Sequence, residues 1–299
     1  MFSITGLEKF NGSYFDAYKA IYSLCAYEVK KLRTLFPEKA INDINGYKVG
    51  IITKEMYAFH SMITIIETNQ DYSTSASILR SIADNLSTYI LIYHQKIQDE
   101  LLLRHYLYLI DGLNVRYSVM CSIHPPKDAP ISNDEKQDTE RNVSFAKKNT
   151  LDAISFCKEK IRMLNIYNEK GNAINHLLKT KNSWRYKSLD CYKQIFTWKE
   201  MYQLINGNES SKNFISFLSQ YVHGLSSSNL LIDINNKDTF EPLMGIGITF
   251  LGTIQEFIQN DFGIEKSYLI SGFLNSDYAM DFLSYEELNH LHLLVNLHD

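Results

Sequence analysis

Arg80 and Asp84 stand one helical turn apart in the otherwise apolar segment ILRSIADNLSTYILIY. Spacing of i,i+4 puts guanidinium and carboxylate on one helix face, where they can pair. A buried arginine needs such a partner, because an unpaired interior charge is costly. Two readings follow: an interior ion pair that fixes helix register, or a cationic anchor for phosphate or carboxylate. His223 closes a second segment, NFISFLSQYVHGLSSS, with Gly224 and a serine run after it. In the last turn of a helix the dipole favours the protonated imidazole, so His223 is either a cap on helix carbonyls or a general acid–base group. Together with a positioned arginine, such a histidine could act on an ester or on an RNA 2′-hydroxyl. Arg80, Asp84 and His223 are therefore the candidate catalytic residues.

A second candidate is LLKTKNSWRYKSLDCYKQIFTWKEMY. From Lys179 to Lys199 it holds six basic residues and one acid, Asp190, among Trp184, Tyr186, Tyr192, Phe196 and Trp198. Basic charge neutralises phosphates and aromatic faces stack unpaired bases, so Lys181, Trp184, Arg185, Tyr186 and Lys187 form a candidate RNA-binding set. The alternative is that the rings are core and the lysines its wet side. At the C-terminus Glu287 and His290 make a Glu-x-x-His pair, but no other histidine has a glutamate three residues before it. A di-iron bundle needs that pair twice. Cys25, Cys121, Cys157 and Cys191 are far apart, with no C-x-x-C, and read as reduced thiols. No metal site and no cofactor are expected. Gly-x-Ser-x-Gly, Walker and His-Glu-x-x-His motifs do not occur, which removes the common hydrolase, P-loop and zincin readings.

The two segments resemble those of a bacterial helical family of unknown function, whose members carry Arg-Ser-x-x-Glu and, later, Ser-x-x-x-His-Gly. Here they read Arg80-Ser81-x-x-Asp84 and Ser219-x-x-x-His223-Gly224, and the order of elements matches over roughly residues 50–260. Asp84 replaces the usual glutamate and has a shorter reach. The arrangement is also distantly similar to HEPN proteins, compact helical domains of bacterial defence and toxin systems, often dimers that cut RNA. Their signature places arginine about five residues before the histidine, where this chain has Leu218. The resemblance implies a homodimer, and it implies RNA as a substrate if Arg80 takes that arginine's place.

The elements that must hold these residues are helical. Five prolines and 13 glycines in 299 residues leave long uninterrupted stretches, which favours helices over many-turned β architecture. Apolar spacing predicts helices from about Ser13 to Phe36, from near Val49, from an N-cap at Ser73 or Thr74, and from Ile97 to about Ser122. A proline-containing break follows His124. Beyond it, a charged helix is predicted from about Asn133 to Ile166, with nine basic and eight acidic residues between Lys127 and Lys170. Residues 171–208 read as irregular. Helices are then expected over Ser210–Val222, capped by Gly224, over Thr239–Asn260, and over Tyr278–His298. Gly245, Gly247 and Gly252 in the second of these read as places of close helix approach.

The expected fold is an all-α, antiparallel multi-helix bundle with a HEPN-like core and additional helices. It is expected to form a single large domain over residues 1–299, with a hinge at 123–133 between two packed halves. The formal charge of −4 divides into +6 for residues 1–199 and −10 for residues 200–299, which is not the uniformly basic balance of a dedicated nucleic-acid binder. No apolar run is long enough to cross a bilayer. The N-terminus lacks a signal-peptide pattern. A cytoplasmic location with no membrane partner is expected. Two functions stay open: a helical interaction or regulatory protein, or a metal-independent HEPN-like ribonuclease using His223 and Arg80.

Overall fold

Ser13 starts the first helix by a reciprocal cap. Its hydroxyl accepts from the Asp16 amide, and the Asp16 carboxylate accepts from the Ser13 amide, satisfying donors that a helix start leaves unpaired. The computed structural model describes residues 13–37, 40–123, 132–205, 209–222, 240–276, 279–280, 284–286 and 288–289. Among them the chain is all-α, in ten helices: α1 (Tyr14–Leu35), α2 (Ile44–Thr68), α3 (Tyr72–Tyr93), α4 (Gln98–Ser122), α5 (Asn133–Arg162), α6 (Asn165–Leu177), α7 (Trp198–Tyr202), α8 (Glu209–Val222), α9 (Glu241–Phe262) and α10 (Lys266–Leu274). No helix among the described residues is long and apolar enough to cross a membrane.

Several boundaries differ from the sequence expectation for identifiable reasons. The cap of α3 is Asp71, whose carboxylate accepts from the Thr74 amide and hydroxyl; Ser73 and Thr74 lie inside the first turn instead. Those bonds hold the Asp71 carboxyl below its usual range, the Thr74 hydroxyl contributing most. The charged helix ends at Arg162, and Leu164 in extended conformation separates it from α6. Part of the stretch expected to be irregular is therefore helical, because α6 runs to Leu177. A 3₁₀ turn at Ser183–Arg185 and an isolated antiparallel bridge between Tyr186 and Ile195 follow. The 124–131 break, Gly224 and most of the expected last helix lie outside the described residues.

The chain forms two compact units, one of Met1–Tyr89 with Trp198–Asp299 and one of Ile90–Thr197. In the first unit α1 packs on α2 and α9 and turns Ala17, Tyr18, Cys25, Val29 and Leu32 inward at helical spacing. Tyr89 of α3 stacks on Phe257 of α9 with ring centroids 4.3 Å apart. Each such side chain taken fully from water contributes about 1.5–3 kcal/mol. Gly247 explains how close α1 and α9 come: a Cβ there would overlap the Tyr18 ring. Gly245 and Gly252 have nothing within 4 Å of such a carbon, so close approach does not require them to be glycine. Lys48, Asp261 and Tyr89 form an interior polar cluster, with the Tyr89 hydroxyl donating to the Asp261 carboxylate.

In the second unit α4 packs along α5 and also meets α6 and the 3₁₀ turn. Leu103, Leu107 and Ile110 of α4, with Ile154, Cys157 and Ile161 of α5, are buried. The Asp99 carboxylate accepts from the Ile166 amide at the start of α6, where a helix leaves its amides unpaired.

Candidate functional site

Helix α3 brings Arg80 and Asp84 to one face, as their spacing predicts, and they form an ion pair. The arginine side chain is 11% exposed and the aspartate 35%, so the pair sits at the edge of the first unit's core. Two further elements complete it. Arg80 Nε donates to Ser219 Oγ of α8 at 2.7 Å, and Ser219 in turn donates to the Ile215 carbonyl of its own helix. Tyr202 of α7 donates its hydroxyl to Asp84 Oδ1 at 2.8 Å, while its ring lies under the guanidinium, 4.6 Å from Cζ. Trp198, one turn earlier, stacks against Tyr202. The cation thus meets a carboxylate, a hydroxyl and an aromatic face from three helices. Aspartate, though a methylene shorter than glutamate, reaches both partners.

This geometry joins the two sequence segments, since Ser219 is the first residue of the Ser-x-x-x-His-Gly segment and Arg80 the first of the other. His223 itself lies outside the described residues. Leu218, at the position where HEPN proteins carry arginine, is wholly buried in α8. It is a core residue, and the contact of Arg80 with α8 is made one position later, at Ser219.

Spacing did not identify Tyr202 or Glu55. Glu55 of α2 is buried beside Asp84 and Asn85, and burial pushes its carboxyl up to about 8. The neighbouring Lys54 and Asn85 lower it and the Asp84 charge raises it, each less than burial does. The available signal was an acid at core-face spacing between Ile52, Met56 and Phe59, all buried in α2. Tyr202 had no comparable signal.

The candidate RNA-binding set divides. Trp184, Arg185 and Tyr186 are buried, which corrects the picture of rings open to bases. Arg104 of α4 accounts for it: its guanidinium donates to the Trp184 and Tyr186 carbonyls at 3.0 Å each, pairs with Glu100 at 2.9 Å, and lies 3.9 Å from the Tyr186 ring centre. Tyr108 packs edge-on against Trp184. Burial raises the Tyr186 phenol well above its ordinary range. The part from Ser183 to Tyr186 is a buried strap of the second unit, while Lys181 and Lys187 are exposed and Tyr192 and Phe196 are half-buried.

Among the described residues no group of three or more His, Cys, Asp or Glu side chains could hold a metal ion. Cys25 and Cys157 are buried, and Cys121 and Cys191 are exposed. Comparison with protein-family models, with curated proteins and with solved structures returns no match.

Proposed function

We propose that this protein is a helical interaction or regulatory protein in which Arg80 is a clasp rather than a reagent. One observation supports the reading most: the guanidinium is taken up by Asp84, Ser219 and the Tyr202 ring, which ties α3 to α7 and α8. A cation neutralised by its own carboxylate has little attraction left for a polyanion. Work as a homodimer in a bacterial defence or toxin-type system, on a HEPN-like core, belongs to the same proposal and rests on the resemblance described above. The cytoplasmic setting is part of the proposal too, and rests on the sequence having no apolar run long enough to cross a bilayer.

A second reading is kept for a specific reason. Arg80 bonds Ser219, and Ser219 stands four residues before His223, the candidate acid–base group, in sequence. Displacing Asp84 would release Arg80 to stabilise charge developing on a phosphate, with His223 moving the proton. In this metal-independent ribonuclease, the exposed Lys181 and Lys187 would contribute only non-specific attraction to RNA.

The discriminating experiment uses the full chain, with purified wild type, Arg80→Ala, Arg80→Lys and His223→Ala incubated with structured and single-stranded RNA in EDTA. The expected result is intact RNA in every case, with a lower thermal midpoint for Arg80→Ala that Arg80→Lys only partly restores, because lysine lacks the fork that reaches two partners. RNA cleavage, or toxicity on expression, that disappears in a folded His223→Ala variant would overturn the first reading and establish the second.

A further inference from the structure

Glu55 stands on the core face of α2 and is 1% exposed. Among the described residues neither of its carboxyl oxygens makes a well-formed hydrogen bond. Glu28 of α1 is buried and unpaired in the same way, and burial alone is the cause of its raised carboxyl. Glu55 differs in its neighbours. Lys54 Nζ of its own helix reaches Asn85 Oδ1 of α3 at 3.5 Å, so α2 and α3 meet where Asp84 holds Arg80. The groups that act on Glu55 are Lys54 of α2 and Asp84 and Asn85 of α3. Lys54 and Asn85 favour its charged form and Asp84 opposes it, while the removal of water outweighs all three.

The two protonation states of Glu55 affect the clasp differently. As an acid it is a neutral neighbour, and the Asp84 charge is left to Arg80 and the Tyr202 hydroxyl. As a carboxylate it is a second negative charge beside Asp84, where little water screens either one. Glu55 is sealed in the core, whereas the Asp84 side chain is 35% exposed. Asp84 is therefore the member that moves, towards water. Arg80 then loses its counter-charge and Tyr202 its acceptor. Helices α7 and α8 pack on each other and are held to α3 through Tyr202 and Ser219, so both loosen together.

We propose that Glu55 is a proton-operated release for the clasp: protonated, it lets Asp84 sit against Arg80 and Tyr202; ionised, it drives Asp84 outwards and frees α7 and α8 from α3. The inference rests on the clasp reading of Arg80 given above. Burial places the loss of that proton at about pH 8. The clasp is thus closed in acid and neutral solution and opens as pH rises through that value.

Hydrogen exchange of the full chain, read by mass spectrometry and corrected for the intrinsic base-catalysed rate, tests it. Peptides covering α7 and α8 should lose protection above about pH 8, by about tenfold per pH unit, the slope of one released proton. Peptides from α4 and α5 should keep theirs. Glu55→Gln, which keeps the shape and has no proton to lose, should hold α7 and α8 closed at about pH 9. Glu55→Met, also unable to ionise and of similar length, replaces it should the amide prevent folding. Glu28→Gln should leave the α7 and α8 profile as in wild type, which separates local release from a general loss of stability. Arg80→Ala should expose α7 and α8 already in neutral solution. Unchanged protection in Arg80→Ala would overturn the clasp reading itself. Exposure in that variant, combined with a wild-type profile that is flat through about pH 8 or that Glu55→Gln leaves unaltered, would overturn the release alone. Loss of protection in every helix at the same pH would also overturn it, because the proton would then act on the whole fold.

Discussion

Two carboxyl groups in the first unit keep their protons for the same physical reason: water has been removed from around them. Glu28 of α1 and Glu55 of α2 are buried, and burial raises each from an ordinary value near 4.5 to about 8. The sign of the consequence is fixed, because the unfolded chain releases these protons near pH 4.5 while the folded chain holds them until about pH 8. The stability they contribute is fully present below pH 4.5 and is lost as pH rises through about 8. Thermal unfolding between pH 5 and 9 should show Glu28→Gln and Glu55→Gln gaining on wild type as pH rises, with the gap widest above pH 8. Parallel pH profiles for wild type and variants would rule out buried protons at these sites. At this scale the sequence was legible where partners are near neighbours: the i,i+4 spacing of Arg80 and Asp84 is enough to predict their pairing. Tyr202 lies 118 residues from Asp84, and no local pattern carries that distance. The aromatic–basic stretch around Trp184 left two readings open because an exposed stacking platform and a buried strap have the same composition. Arg104, 80 residues away, decides between them.

At the scale of the helix, periodicity and capping chemistry do most of the work. The run from Ser13 to Pro37 was readable at both ends because a capping box opens it and a proline follows it. The expected start of α3 lies two to three residues late, since Asp71, Ser73 and Thr74 all qualify as caps and only the bonds actually made distinguish Asp71. The glycines of α9 looked alike in sequence and are not alike in space. Gly247→Ala should destabilise the protein by about 1–3 kcal/mol, because its methyl overlaps the Tyr18 ring in a packed interface. Gly252→Ala meets open space and should stabilise by up to about 1 kcal/mol, the helix preference for alanine over glycine. Urea midpoints of the two variants, moving in opposite directions from wild type, check the assignment; a shared direction would remove Tyr18 contact as the reason.

For the whole molecule, the all-α class was readable from breaker scarcity, but the division into units was not. It falls at 89–90 and 197–198, where no change of composition marks it, whereas the proline-rich segment after His124 drew attention by composition alone. The second unit is continuous in sequence, while the first is assembled from both sides of it. Cys25 of α1 hydrogen-bonds the Leu251 carbonyl of α9 across 226 residues, and closing so long a loop carries an entropic cost that grows with the logarithm of its length. Contacts within α4 and α5 close shorter loops, so pulse-labelled hydrogen exchange during refolding should show α4 and α5 amides protected before those of α1 and α9. Simultaneous protection would mean that the units fold as one. The same arrangement sets a timetable for synthesis. While the ribosome is still translating α9, the inward face of α1, with Tyr18 on it, has emerged and lacks the helix that packs against it. A nascent chain stalled before residue 241 would hold a completed second unit and an open first one, making it a client for chaperones at that length and no longer one after α9 has emerged.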